Sequence, residues 1–212
     1  MSPRRILVLF AHPSLERSEI NSRLAPIARR HEFCTFIDLY GEYPEYRIDI
    51  DREQQRLLDH DVIMFLFPLF WYSTPALLKE WQDLVLEHGF AYGSEGVALA
   101  GKHFICACSA GGSGAAYSTE GLNRFTLREL LRPLEQTANL CKMHYLPPFA
   151  LFGSRTAAEE GRLDTHERDF QQLLGRLVNG RLDDLVALEG CTINEHVAGN
   201  TAADEGDAEV NS

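Results

Sequence analysis

VIMFLFPLFWYSTPALLKEW, residues 62–81, decides the fold. Its first half is an unbroken apolar run, as expected of a strand covered on both faces. Its last third opens a helix, Pro75–Leu86, with proline in the first turn, where a missing N–H costs nothing. Ser73 or Thr74 is the candidate cap. The connection is the anomaly. Phe70, Trp71 and Tyr72 stand in a row where a polar loop is the norm.

Outward from this stretch the same alternation repeats. Upstream, the apolar run Arg5–Ala11 is strand one, and a helix over Glu19–His31 carries Ile20, Leu24, Ile27 and Ala28 at helical spacing. Pro26 weakens or bends that helix. Phe33–Leu39 is strand two, YGEYPEYRIDIDRE a loop, Glu53–His60 a short helix and Asp61–Pro68 strand three. Downstream, the glycine-containing loop EHGFAYGSEGVALAGK leads to strand four, Lys102–Ser109. A mostly helical stretch follows over Leu122–Leu140, bent at Pro133; then come strand five, Tyr145–Phe152, and a last helix, Ala157–Val178. Strands alternating with helices specify an α/β fold with a parallel sheet covered on both faces. Five strands over this length fit a flavodoxin-like doubly wound sheet. That domain is expected over residues 1–180, with an acidic C-terminal extension over 181–212 whose end, GNTAADEGDAEVNS, is expected to be disordered.

The totals exclude several function classes. A net charge of −11, with no Lys/Arg run, argues against nucleic-acid binding. The apolar stretch from Val62 to Leu78 is broken by Pro68 and Pro75 and carries Ser73 and Thr74, so it does not read as a membrane span. Five cysteines, an odd number with no secretory pattern at the N-terminus, point to the reducing cytoplasm. Cys106 and Cys108 are expected on one face of strand four as small core residues, and no further ligands at metal spacing accompany them.

Ligands of an open α/β sheet bind at the carboxyl ends of the strands. Three segments emerge there. The first, HPSLERSEIN, joins strand one to its helix, whose orphan N–H groups make an anion site. Ser18 and Asn21 add neutral donors, His12 and Arg17 add charge, and a plain capped turn with Ser18 as N-cap is the competing reading. The second, PLFWYSTP, is either the wall of a flat-ring site or apolar cover for a core or interface. In the third, CSAGGSGAAYS, Gly111 and Gly112 let backbone approach a planar ligand, and Tyr117 brings a hydroxyl. No dinucleotide or Walker glycine fingerprint is present. A phosphate loop, an aromatic loop and a glycine loop at one edge suit flavin mononucleotide, with Ser109 as a further polar contact.

AHPSLERSEIN, FPLFWYSTPALLKEW, HGFAYG, GKHF, AGGSGAAYS and LPPF, in this order, resemble the flavodoxin-like NAD(P)H:quinone oxidoreductases over Ile6 to Val178. DIDREQQ and LPPF are similar to one bacterial branch, the ancillary proteins of glutathione-gated potassium-efflux systems. The resemblance implies a flavin held by His12, Ser18, Asn21, Pro68, Leu69, Phe70, Trp71, Ser109, Ala110, Gly111 and Gly112. It implies FMN rather than FAD, a homodimer with HGFAYG near the partner's flavin, and ping-pong transfer of hydride from NAD(P)H to a quinone. Tyr117 and Asn123 occupy the positions of the family's catalytic pair, but Asn123 replaces a histidine and cannot exchange a proton near neutral pH. Phe70 replaces a glutamine, and Ser109-Ala110 replaces a threonine pair. Two alternatives stand beside the quinone reductase: a flavin-bound regulatory subunit docked on a potassium-efflux transporter at the inner face of the membrane, and an azo-dye reductase of similar fold.

Overall fold

The computed structural model describes residues 2–180, 182–186, 188 and 192–198. The chain runs β1 (Ile6–Phe10), α1 (Glu19–Arg30), β2 (Cys34–Asp38), α2 (Leu39–Glu42), α3 (Ile50–Leu58), β3 (Val62–Pro68) and α4 (Ala76–Val85). It continues through β4 (His103–Ser109), α5 (Leu127–Leu130), α6 (Arg132–Leu140), β5 (His144–Tyr145), β6 (Phe149–Leu151), α7 (Arg162–Asn179), α8 (Asp183–Val186) and α9 (Asn194–Ala198). All strand pairs are parallel, in the order β2-β1-β3-β4-β5, with β6 also on β4. This is the flavodoxin-like strand order expected from the alternation.

The central strands alternate between two cores. Leu7, Leu9, Ile63, Phe65, Phe67, Phe104, Cys106 and Cys108 face one cluster, closed by Leu57 of α3, Leu77, Leu78 and Trp81 of α4, and Leu134 of α6. Ile6, Val8, Phe10, Val62, Met64, Leu66, Ile105 and Ala107 face the other, closed by Ile20 and Leu24 of α1 and by Phe170, Leu173, Leu174 and Leu177 of α7. Every residue of β1 and β3 is buried, which is why their sequences show no alternation. Cys106 and Cys108 share a face and lie in the core, as expected from their spacing.

Three departures from the sequence reading have local causes. Strand five is two pieces: β5 pairs with His103-Phe104 and β6 with Ala107–Ser109. Pro147 and Pro148 lie between them and have no N–H for the ladder. The helix expected from Leu122 starts at Leu127, behind a Thr126/Glu129 capping box, and a break at Leu131 precedes Pro133 in the first turn of α6. The last helix starts at Arg162, because Gly161 ahead of it holds a left-handed φ of 68°. Pro26 lies inside α1 without ending it; the buried stripe Ile20, Leu24, Ala25 and Ala28 offsets one lost hydrogen bond.

The C-terminal segment joins the same core. Leu182, Leu185, Ile193 and Val197 are buried against the α1/α7 cluster. The Asn194 side chain accepts from Ala150 N–H (2.9 Å) and donates to Ala150 C=O (3.0 Å), as a neighbouring strand would. The expectation of a disordered Gly199–Ser212 tail lies outside the described residues. Among the described residues no helix is long and apolar enough to cross a membrane.

Candidate functional site

The loops after β1, β3 and β4 converge at the carboxyl edge of the sheet. A fourth, after β6, joins them. Gly153 N–H donates to Gly112 C=O (2.7 Å) and Ser154 N–H to Ala110 C=O (3.0 Å), so it is stitched to the glycine loop.

The first loop builds a polar cavity. His12 is buried, and its Nδ1 accepts the Ser14 N–H at 3.1 Å, which leaves the ring proton on Nε2. Burial holds His12 below the ordinary histidine range, against the pull of Glu16 and Asp38, so it is a neutral donor at pH 7. Ser18 caps α1 by accepting the Asn21 N–H at 3.1 Å. The capped-turn reading therefore holds, and it does not close the anion site. The Glu19 and Ile20 N–H groups make no hydrogen bond among the described residues. With His12, Ser14, Ser18, Pro68, Phe70, Ser109, Ser154 and Arg155 they line a cavity of about 560 Å³. Asn21, next to Ile20 in the first turn of α1, is not in this lining; it is 1% exposed, with both side-chain amide atoms unpaired among the described residues. The Arg17 side chain lies outside the described residues.

The aromatic row is the tip of a two-residue hairpin. Phe70 N–H donates to Ser73 C=O (3.1 Å) and Ser73 N–H to Phe70 C=O (3.0 Å). Trp71 and Tyr72 take the central positions with φ of 47° and 64°, where asparagine-glycine is the usual pair. Trp71 is 93% exposed. The sequence reading left the wall of a ring site open against core cover; Trp71 is not core. The Leu69 and Phe70 N–H groups are engaged by Ser109 C=O and Ser73 C=O, so those of Trp71 and Tyr72 remain.

In the glycine loop the Ala110 N–H is likewise engaged, by Leu151 C=O at 2.8 Å, while those of Gly111 and Gly112 have no partner among the described residues. A Cβ on Gly112 would lie 3.2 Å from the Tyr117 ring and 3.7 Å from Asn123 Nδ2, so glycine is what lets Tyr117 close down. Tyr117 is buried, packed on Phe152 with ring centroids 5.2 Å apart. Its phenol is pushed above the ordinary tyrosine range, chiefly by burial; Tyr72 and Cys108 add to this and a hydrogen bond from Asn123 opposes it. The Tyr72 hydroxyl donates to Asn123 Oδ1 at 3.2 Å. Leu69, Trp71, Tyr72, Gly111, Gly112, Ala116, Tyr117, Leu122, Asn123 and Arg155 line a second cavity, of about 330 Å³.

Arg155 lines both cavities and so marks their seam. Sequence reasoning missed it together with Ser154. The signal was available, since both follow a strand at the ligand edge, but the loop carries no glycine or aromatic cluster to draw notice. Ala110 is buried and reaches neither cavity lining, and neither does any residue of HGFAYG.

The comparisons with known proteins agree with this geometry. A family model described as flavodoxin-like fold matches residues 4–174. The glutathione-regulated potassium-efflux system ancillary protein KefG of Cronobacter sakazakii is 44% identical over 170 residues, 80% of this chain and 92% of the relative. The crystal structure of general stress protein 14 from Treponema denticola, in complex with FMN, is 36% identical with a TM-score of 0.77, covering 82% of this chain and 99% of that one. An NADPH-quinone reductase structure from P. pentosaceus is 34% identical with a TM-score of 0.72, covering 80% and 97%. The chain belongs to the flavodoxin-like family of NAD(P)H oxidoreductases, among the relatives of the potassium-efflux ancillary proteins.

Proposed function

We propose that the protein is an FMN-dependent NAD(P)H:quinone oxidoreductase of ping-pong type. The observation that carries this reading is the pair of cavities meeting at Arg155, one lined by anion donors and the other by ring-stacking surfaces. The residues fit the group. In the same first turn that lines the polar cavity, Asn21 is buried with both amide ends orphaned, the kind of unsatisfied group that native structures keep for a reason. The orphan N–H groups of Glu19 and Ile20 begin α1, where helix geometry favours a phosphate. Gly111 leaves its backbone bare, with Arg155 Nε 3.9 Å from where a Cβ would stand.

When bound, FMN supplies two-electron chemistry, accepting hydride from NAD(P)H and yielding it to a quinone through one pocket in turn. The chain binds, orients and stabilises charge. His12 Nε2–H, Ser18 and the first turn of α1 would hold the flavin phosphate, with Asn21 in that same turn; Trp71, Tyr72, Gly111 and Gly112 would lie against its ring, and the Tyr117 hydroxyl would supply a donor there. Leu122 and Phe125 are 89% and 54% exposed, apolar surface that a second copy of the chain covers in a homodimer.

A second reading keeps the flavin and drops the turnover: a regulatory subunit of a potassium-efflux transporter, acting in the cytoplasm at the inner face of the membrane. Its support is the likeness to KefG and the asparagine at position 123, which blocks proton relay. Flavin content of the purified protein, with the released cofactor weighed by mass spectrometry, tests what both readings share. Turnover of NADH or NADPH with a benzoquinone then separates them. Colourless protein that takes up no added FMN overturns both.

A further inference from the structure

Past α7 the chain turns back to the sheet edge that carries Ser154 and Arg155. The family match ends at residue 174, so this segment lies beyond it. We propose that Ile193 and Asn194 form a clip that stands in for a neighbouring strand on β6 and holds the Ser154–Arg155 loop at the seam of the two cavities, with Asn194 as its positioning residue.

The backbone groups of β6 can be followed one by one. Leu151 C=O faces β4 and accepts the Ala110 N–H at 2.8 Å, so Pro148, Ala150 and Phe152 turn their groups the other way. Every acceptor on that outer side is taken. Pro148 C=O accepts the Ile193 N–H at 2.9 Å, Ala150 C=O accepts from Asn194 Nδ2 at 3.0 Å, and Phe152 C=O accepts from Arg162 Nη1 at 2.7 Å. The Ala150 N–H donates to Asn194 Oδ1 at 2.9 Å. One carboxamide thus brings the donor and the acceptor that a further strand would offer.

The clip is anchored, and so is what it holds. Leu182, Leu185, Ile193 and Val197 are buried in the cluster that contains α7. Arg176 Nη1 donates to His196 C=O at 2.6 Å and Arg128 Nη1 to Leu188 C=O at 3.0 Å. From Ala150 the chain runs directly into the site loop. Gly153 C=O accepts from Arg162 Nη2 at 3.1 Å, and the Gly153 and Ser154 N–H groups donate into the glycine loop. Arg155, which lines both cavities, follows at once. β6 has only three residues, the short limit for a strand, so its hold on the loop depends on pairing at both edges.

Native-state hydrogen exchange of the full chain tests the clip. Asn194→Ala is compared with Ile63→Val, which trims the core on the other face of the sheet. Asn194→Ala is expected to speed exchange of the Ala150, Gly153 and Ser154 amides about three- to tenfold, the scale of a lost hydrogen bond. Ile63→Val is expected to speed the β1 and β3 amides about two- to tenfold and to leave those three at the parental rate, because they open with the clip and not with the whole fold. A second arm, which rests on the flavin reading, titrates FMN: affinity falls about threefold in Asn194→Ala and is unchanged in Ile63→Val. Gly153 and Ser154 amides that keep the parental rate in Asn194→Ala, or respond equally to Ile63→Val, overturn the clip. Faster exchange with unchanged FMN affinity overturns its positioning role. Protein that takes up no FMN overturns the flavin reading, and the exchange result alone then decides the clip.

Discussion

Replacing Trp71 by asparagine is expected to make the ligand-free protein more stable and the holoprotein weaker. Trp71 holds φ at 47°, a left-handed conformation that costs an ordinary L-residue roughly 1–2 kcal/mol. Asparagine is the side chain other than glycine that enters this region most readily, and it suits the hairpin turn closed by Phe70 and Ser73. The indole contributes nothing that offsets the strain, since 93% of the residue is exposed. Relief of about 1 kcal/mol remains, which raises the melting temperature by about 2–4 °C in a domain of this size. The same change removes an aromatic face from the ring cavity, a loss of about 0.5–1.5 kcal/mol beyond buried area, so FMN affinity falls about tenfold. Thermal unfolding by circular dichroism of the flavin-free protein measures the first effect, and quenching of FMN fluorescence the second. A lower melting temperature would refute the strain argument. Higher stability with unchanged FMN affinity would show that the strain is kept for some other purpose.

Arg155→Ala is expected to weaken FMN binding about five- to tenfold at low salt and riboflavin binding less, because the phosphate is what the guanidinium meets; equal losses for the two flavins would place Arg155 elsewhere. Glu53 is fully buried, accepts from Tyr43 Oη–H (2.6 Å) and Trp81 Nε1–H (2.9 Å), and pairs with Arg56. Glu53→Ala strands Tyr43 and Trp81, leaves Arg56 only Glu42 (3.2 Å), and should cost about 3–5 kcal/mol in urea denaturation, with a loss below about 1 counting against the network. His166, stacked on Phe149 at 4.5 Å, is pulled down to about 4 by burial, with Arg162 adding. The unfolded chain binds a proton at this site between pH 6.5 and 4 and the folded chain does not. Stability is therefore full above pH 6.5 and falls by roughly 3 kcal/mol as pH drops to 4, a slope that His166→Phe should flatten. Asn194→Ala leaves the Ala150 N–H and C=O unpaired at the sheet edge, and a loss of about 1–3 kcal/mol is expected in the same assay.

The fold was legible because the buried strands are long apolar runs and the helices carry one apolar stripe each. The order of elements then left few topologies. Boundaries failed where single residues overrule periodicity. Pro147 and Pro148 split a strand that reads as continuous, and Gly161 delays a helix that its periodicity would start earlier. The site was legible in its three loops, since glycine and aromatic clusters after strands are unusual enough to notice. Arg155 was not, because a lone arginine on a loop is unremarkable until the sheet places it between two cavities. Nor could sequence show which amides are free. The Leu69, Phe70 and Ala110 N–H groups sit in ligand-edge loops and are engaged within the protein, while those of Trp71, Tyr72, Gly111 and Gly112 are available.

The case for a site at this edge also stands without reference to relatives. A folded chain satisfies its buried polar groups and avoids strained backbone unless something else demands them. The buried carboxylate far from the edge obeys that rule, with every neighbour of Glu53 paired. At the edge the rule fails repeatedly and in different ways. Two successive aromatics hold left-handed φ angles, one of them almost wholly in solvent. Asn21 is 1% exposed with both ends of its amide unpaired among the described residues, while the orphaned buried atoms elsewhere, Arg128 Nε, Tyr145 Oη and Gln172 Oε1, are single atoms. Two strained aromatics and the unbonded first turn of α1 gather around two cavities that share Arg155. A ligand with an anionic end and a flat end gives the unbonded N–H groups of the first turn of α1 and the exposed ring a partner at once.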